Sequence, residues 1–399
     1  DTDQDEDRDR EQDPRIRRDA DRKRDGGSCD EARSAARRLL ARERGLRVWG
    51  ELELGARLAR VPYLAVTGTN GKTTTTGLLA ASLRAAGLDA VACGNIGRAF
   101  PTTAREHHDV LVVEASSFQL ATQESFRPRV SVLLNLAPDH LDWHGSFEAY
   151  AAAKARIFAR QGPGDVHVGN RDDEGAAAMS RSAPCEVRWF TTGEPSAQDA
   201  GVRDGRLVAG WSGADLGRVA IDTQGVRADA AACLAAAHAF GIADEAVAEA
   251  ISTFRPEPHR GESVVTVEGV RFVDNSKATN PHASIAAVGD GDGVVLIAGG
   301  DAKGVDLSPL GSLAPRLSGV VAIGAAAGQI RSVFEGRVVV RDAASIEDAT
   351  RIAFEMAPSG GTVLLAPACA SWDMFADYTE RGERFAAAAR ALQKEGART

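Results

Sequence analysis

The stretch Tyr63-Leu64-Ala65-Val66-Thr67-Gly68-Thr69-Asn70-Gly71-Lys72-Thr73-Thr74 decides the fold. Its apolar half reads as a strand, and an Ala/Leu-rich helical pattern follows from Gly77 to Ala86. Strand, glycine loop and helix N-terminus in that order make an anion site. Glycines let the backbone approach phosphates, N–H groups point inward, and the helix dipole favours negative charge. Lys72 is placed to neutralise terminal phosphates, and the Thr73 hydroxyl suits Mg²⁺. The common P-loop has four residues between its first Gly and Gly-Lys, whereas here only two separate Gly68 from Gly71. The loop is therefore a P-loop variant, with Gly68, Thr69, Asn70, Gly71, Lys72, Thr73 and Thr74 as the expected phosphate cradle. The competing reading is an ordinary Gly-rich turn between strand and helix.

Working outward, the 399 residues allow two or three domains, and 44% hydrophobic content is enough for ordinary cores. A net charge of −9 with no long basic patch argues against nucleic-acid binding. No apolar run reaches the length of a membrane span and the start of the chain has no apolar leader, so a soluble, cytoplasmic monomer is expected. Cys29, Cys93, Cys185, Cys233 and Cys369 are scattered without a CxxC pair, which favours reduced thiols over a disulfide framework or zinc site. Cys369 reads as a small buried thiol sooner than as a nucleophile.

Residues 1–30 are almost all Asp, Arg, Gln, Glu and Lys and are expected to be disordered, because they cannot bury enough apolar surface. A surface helix is expected over Glu31–Arg44, then a strand end at Val48-Trp49-Gly50 entering a short helix. From 61 to 255 strand and helix patterns alternate. Leu64–Thr67, Val110–Glu114 and Val130–Asn135 are short continuous apolar runs, as in a parallel sheet covered on both faces. Phe147–Arg160 reads as a helix capped by Ser146, residues 193–218 as hairpins or loops, and Arg227–Phe240 as a small-residue helix. Pro256-Glu257-Pro258 signals a linker. Beyond it, Ser263–Val273 alternates around a turn at Glu268-Gly269, and strands are expected at Val294–Ala298, Gly319–Ile323, Val338–Val340 and Thr362–Ala366. The fold class is thus α/β: a P-loop-containing central domain with a parallel sheet (61–255), followed by a second, Rossmann-like α/β domain (256–399).

Chemistry-bearing residues gather at predicted strand ends, where open α/β sheets bind ligands. Glu114 ends one strand and suits Mg²⁺, or else caps the following helix. Asp139 and His140 follow another, with His144 nearby, and suit a second cation or a substrate carboxyl. Lys154 lies mid-helix and reads by spacing as a surface lysine. Arg260 sits just past the linker, within reach of a phosphate across a cleft. The loops at Asp274–Asn280, Gly299–Gly304 and Pro367–Phe375 carry Lys, Thr and Ser donors fit for a dicarboxylic amino acid, although each taken singly is also ordinary turn chemistry.

Together the motifs Gly-Thr-Asn-Gly-Lys-Thr, Glu-Ala-Ser-Ser-Phe-Gln-Leu, Asp-His-Leu-Asp, Ser-Lys-Ala-Thr-Asn and Pro-Ala-Cys-Ala-Ser-Trp-Asp-Met-Phe resemble the Mur ligases, from about Val48 to Leu392. The second, fourth and fifth favour the branch that adds D-glutamate. The resemblance implies an ATP-dependent amide ligase of cytoplasmic peptidoglycan precursor synthesis. It would phosphorylate the carboxylate of UDP-N-acetylmuramoyl-L-alanine and let the amine of D-glutamate displace phosphate. It implies that Lys72 and Thr73 hold phosphates and Mg²⁺, and that Glu114 and His140 serve two magnesium sites. Lys154 matches the family's carbamylated lysine, a ligand near the second ion. Asn95 would contact the muramoyl substrate, with Ser116 on the same side. Arg260 would contact ATP, with Asn275 beside it where the family has Asp. Lys277, Thr279, Lys303, Ser371 and Tyr378 would hold D-glutamate. Two departures stand out. Residues 31–60 read as the remnant of a truncated or replaced UDP-binding domain, and Asp229-Ala230-Ala231-Ala232 replaces the family's adenine-side Asn-x-x-Asn. The alternatives are a folylpolyglutamate-synthase-like ligase and a catalytically impaired nucleotide-binding protein.

Overall fold

The computed structural model describes residues 44–218, 224–255, 257–289 and 291–396. The charged tract 1–30 and the helix expected from Glu31 lie outside the described residues, apart from Arg44. Residues up to Gly50 form one unit and Glu51–Thr399 another. Of the first, the described residues 44–50 contain no strand, so the strand end expected at Val48–Gly50 is absent, and Leu46 and Trp49 are exposed.

The second unit opens with α1 (Glu51–Leu58). Leu52 is fully buried, and the Glu53 carboxylate accepts from the Glu124 and Ser125 amides at 2.8 Å each. Gly55 lies so close to Phe100 that a Cβ there would meet its ring at 2.2 Å. This helix is thus packed onto Phe100 and the Glu124–Ser125 bend.

Two sheets follow. The first runs β2-β3-β1-β4-β5-β6-β7-β8-β9. Its members are β1 (Tyr63–Thr67), β2 (Ala90–Gly94), β3 (Val110–Glu114), β4 (Val130–Leu133), β5 (Val166–Asn170), β6 (Glu186–Phe190), β7 (Asp199–Arg203), β8 (Arg206–Ala209) and β9 (Ala214–Arg218). It is parallel from β2 through β7 and ends in an antiparallel meander, which is what the Gly/Asp-rich 193–218 stretch becomes. β1, β3, β4 and β5 are buried at every position, as the largely apolar runs of the first three require. Around this sheet stand α2 (Lys72–Ala85), α3 (Phe100–Thr103), α4 (Ser117–Ala121), α5 (Leu141–His144), α6 (Phe147–Ala155), α7 (Glu174–Ser180), α8 (Gln224–Phe240) and α9 (Asp244–Thr253). Ala230, Ala231, Ala232, Cys233, Ala235, Ala236 and Ala237 of α8 are buried between α2 and the sheet, because only small side chains let helix and sheet approach this closely.

The second sheet runs β10-β11-β15-β12-β13-β14. Its strands are β10 (Glu262–Val267), β11 (Val270–Asp274), β12 (Val294–Gly299), β13 (Leu317–Ile323), β14 (Val340–Asp342) and β15 (Thr362–Leu365). β10 and β11 form the expected hairpin, with Glu268 and Gly269 both at positive φ (48° and 81°), the geometry of a type I′ turn. The other pairings are parallel. The helices α10 (Pro281–Val288), α11 (Ala327–Phe334), α12 (Ile346–Met356) and α13 (Tyr378–Gly396) flank it.

Three expected boundaries shift. β4 stops at Leu133, because the Asn135 side chain turns to the P-loop: its carboxamide oxygen accepts from the Asn70 amide at 2.8 Å. α6 stops at Ala155, with tight turns carrying the chain on to Arg160. The strand expected at Val338–Val340 begins at Val340.

Candidate active site

Gly68 packs against Leu134, leaving 2.8 Å for a Cβ, and Gly71 takes a left-handed turn (φ 83°) directly before α2. The first turn of α2 has no side-chain cap, so its N–H groups remain available to an anion. The Thr69 hydroxyl bridges the Ala137 carbonyl at 3.2 Å and the Tyr150 hydroxyl at 3.0 Å.

At the end of β3, Glu114 accepts from the Thr73 hydroxyl at 2.8 Å and from the Asn95 carboxamide at 3.0 Å. Thr73 and Glu114 are hard oxygen donors converging at a helix N-terminus, the donor set Mg²⁺ takes alongside phosphate oxygens. The helix-cap alternative for Glu114 does not hold. Ser116 is the cap of α4: its hydroxyl accepts from the Gln119 amide at 3.2 Å, while the Gln119 carboxamide accepts from the Ser116 amide at 3.0 Å.

Lys154 is not a surface lysine. It is 2% exposed and donates to the Gly68 carbonyl at 2.7 Å. Lys72 donates to the same carbonyl and to that of Thr69, at 2.9 Å each. Burial, then the Lys72 ammonium, hold Lys154 well below the usual lysine range. Burial also lowers Lys72, against the pull of Glu114 and Asp139. His140 stands at the N-cap of α5 with φ 53°, its ring 4.8 Å from that of Phe118.

The second sheet's loops close over this surface. The Lys277 ammonium lies 3.8 Å over the Tyr378 ring, and burial, with Arg260 and Lys72, brings it down to about 8. The Asn280 and Asn70 carboxamides donate to each other at 3.1 and 3.3 Å. Asp139 accepts from the Lys303 ammonium at 2.6 Å and from Asn280 at 3.3 Å. Arg381, fully buried, donates to the Ser276 hydroxyl and carbonyl and to the Cys369 carbonyl, which ties two of the loops together.

The result is a cavity of about 450 Å³. Thr69 to Thr73, Asn95, Glu114, Ser116, His140, Lys154, Arg260, Lys277, Thr279 and Tyr378 all line it. Gly68 contributes its carbonyl from beneath. Thr74 and Asn275 line a neighbouring cavity of about 470 Å³, which shares Asn70, Gly71, Arg260 and Lys277 with the first. Lys303 does not line the main cavity, because Asp139 holds its ammonium. Ser371 is buried away from it, at 3% exposure. Tyr150 and Arg381 were not singled out from sequence, and Asn280 was named only as the end of the Ser-Lys-Ala-Thr-Asn motif. Tyr150 carried one further signal, its i, i+4 spacing from Lys154 on one helix face.

Residues 66–219 match the Mur ligase middle domain. A Streptomyces avermitilis protein named UDP-N-acetylmuramoylalanine--D-glutamate ligase is 43% identical over 380 residues, 88% of this chain and 81% of that protein. The protein of the same name from Mycobacterium tuberculosis is 40% identical, over 87% of this chain and 80% of its own length. Among solved structures, the MurF ligase from Thermotoga maritima in complex with ADP superposes with a TM-score of 0.65 at 17% identity, over 86% of this chain and 84% of that one. E. coli FolC in complex with DHPP and ADP gives 0.60 at 19%, over 87% and 92%. These two likenesses concern the fold alone. Identity above 40% over most of both chains, together with a P-loop cradle facing a second α/β lobe across one cavity, shows that the chain belongs to the Mur ligase family, on the branch of the UDP-N-acetylmuramoylalanine--D-glutamate ligases.

Proposed function

We propose that this chain is an ATP-dependent ligase that joins D-glutamate to UDP-N-acetylmuramoyl-L-alanine through an amide bond. The observation that carries the reading is the single cavity in which Lys72, Thr73 and Glu114 of the first lobe face Lys277 and Thr279 of the second. ATP meets the P-loop with its triphosphate on Gly71, Lys72 and the open N-terminus of α2, and Arg260 reaches it from the other lobe. Its nucleoside extends into the adjoining cavity beside Thr74 and Asn275.

Bringing the muramoyl carboxylate against the terminal phosphate is mainly a problem of positioning and charge, which fixed cations solve. The carboxylate attacks phosphorus to give an acyl phosphate and ADP. The D-glutamate amine then attacks the acyl carbon and phosphate departs. Asn95 and Ser116 stand on the muramoyl side. Lys277, Thr279 and Tyr378 form the amino-acid side, and Lys303 and Ser371 join them if the lobes shift on binding.

Mg²⁺ fits the Thr73–Glu114 pair and would neutralise charge on the phosphates; a second ion would sit towards His140 and Lys154. Lys154 is the carbamate candidate. Burial beside Lys72 favours its neutral amine, the form that adds to carbon dioxide, and the carbamate turns a buried cation into an oxygen ligand. We read residues 61–255 and 256–399 as the two catalytic domains, with α1 attached to the first, and the enzyme as a cytoplasmic monomer. Among the described residues no helix is long and apolar enough to cross a membrane.

The test is a phosphate-release assay with ATP and UDP-N-acetylmuramoyl-L-alanine, offering D-glutamate, L-alanine and diaminopimelate in turn, beside a folate with L-glutamate. Product should form with D-glutamate alone. A pocket of cations and hydroxyls built for two carboxylates is left unpaired by an apolar amino acid, which it should reject strongly. Efficient use of L-alanine, diaminopimelate or the folate would overturn the assignment.

A further inference from the structure

Asp229, on α8, is buried beneath the P-loop. Its Oδ1 occupies the space a side chain on Gly71 would need, 2.1 Å from an ideal Cβ there, so the carboxyl is wedged against the glycine that ends the cradle. The Thr75 hydroxyl donates to that oxygen at 3.2 Å, and Thr74 supplies a second hydroxyl. Among the described residues no cation is in salt-bridge contact with it; Arg260 and Lys72 are the charges that face it. Along α8, Cys233 adds no charge, since burial pushes its thiol up to about 12. A carboxyl therefore shares the N-terminus of α2 with the place a triphosphate takes. Both draw on the same helix dipole and the same two cations.

We propose that Asp229 is a positioning residue of the nucleotide site that enters the ATP complex as a neutral carboxylic acid, so that nucleotide binding takes up a proton from solvent wherever the free protein holds the carboxylate, approaching one proton as pH rises above neutrality. This rests on reading the P-loop cavity as the nucleotide site. Burial, against the pull of Thr75 and Arg260, pushes Asp229 up to about 7, so both forms are populated in the free protein near neutrality. Phosphate charge arriving at Gly71 and Lys72 disfavours the carboxylate further. The protonated group keeps its place against Gly71 without opposing the incoming anion.

The experiment measures MgATP binding, without the other two substrates, by calorimetry from pH 7 to 9 in two buffers of different ionisation enthalpy. Wild type is compared with Asp229→Asn, which keeps the oxygen that Thr75 bonds but cannot ionise. The nucleotide's own titration and that of Lys277 are common to both. The ratio of wild-type to variant Kd should therefore grow, approaching tenfold per pH unit above pH 7.5, and only wild type should show the extra proton. Parallel pH profiles would overturn the proposal, because a merely structural role shifts Kd equally at every pH. Should Asp229→Asn fail to fold, Asp229→Ser, equally unable to ionise, takes its place: Lys72, Lys154 and Lys277 titrate alike in both proteins, so a wild-type-to-variant Kd ratio that grows with pH upholds the proposal and parallel profiles overturn it. Absence of any MgATP binding to wild type would remove the nucleotide-site reading itself, and this inference with it.

Discussion

Two ammonium groups, those of Lys72 and Lys154, donate to one carbonyl oxygen, that of Gly68. Buried together, they cannot both remain charged at little cost, and an arriving phosphate or a carbamate relieves the repulsion. Lys72→Ala should lower kcat about 100-fold or more, since it removes a fixed cation aimed at charge that develops in the transition state. A near wild-type rate would show that this loop is not the cradle. Lys154→Ala should be similarly impaired and should recover partly with acetate or another short carboxylic acid in place of the carbamate. Full activity without additives would end the carbamate reading. At this scale the sequence was uneven. Lys72, Thr73 and Glu114 were legible because their motif sets their spacing. Lys154 was legible only through the family resemblance, because a lysine in an alanine-rich helix looks solvated by spacing until the tertiary fold buries it. Asp139 and Lys303 were both noticed, but their pairing across the cleft spans 164 positions and leaves no local trace.

Elements were easier to read where their periodicity was strong. β1 and β3 and the β10–β11 hairpin turn follow from apolar runs and from a residue pair that accepts positive φ. β2, β5 and β6 did not stand out, because Ala, Gly, His and Arg interrupt their runs and only sheet neighbours make them strands. The helix α13 illustrates what packing adds. A Cβ at Gly382 would meet His259 Nδ1 at 2.2 Å and Asp274 Oδ2 at 2.7 Å, two atoms that are themselves 2.7 Å apart in a buried hydrogen bond. His259 takes φ 64° immediately before Arg260, so the helix, the hydrogen-bonded pair and the arginine proposed to contact ATP form one packed stack. Gly382→Ala should therefore cost about 1–3 kcal/mol through overpacking and also raise KM for ATP by displacing Arg260. Urea unfolding and steady-state kinetics check the two effects. A variant with unchanged stability and unchanged KM would show that the stack has slack.

At the scale of the molecule, the two lobes meet, among the described residues, through few polar contacts, and Asp139 holds an ion pair there. Burial pushes its carboxyl up, but Lys303, His140 and Asn280 more than offset this, so it titrates below the usual carboxylate range. The sign follows: the pairing is intact above about pH 4 and is lost as pH falls below that, so closure should persist through neutral and mildly acid solution. The family resemblance gives Lys303 to D-glutamate, whereas the closed geometry gives it to Asp139, and kinetics can tell these roles apart. Lys303→Met removes the cation and leaves a carboxylate only 5% exposed without its lysine partner. Breaking a buried pair from one side costs about 3–5 kcal/mol, here set against the closed arrangement. If Lys303 acts as a latch, KM should rise for ATP and D-glutamate alike, and the radius of gyration from small-angle scattering should increase. If it acts only on the amino acid, KM for D-glutamate alone should rise and the scattering should stay unchanged. The Lys303 side chain is 7% exposed and lies off the main cavity, so the latch outcome is expected for the free enzyme. Scattering on wild type with both ATP and D-glutamate bound would then show whether the same lysine is released to the substrate once the cavity is filled.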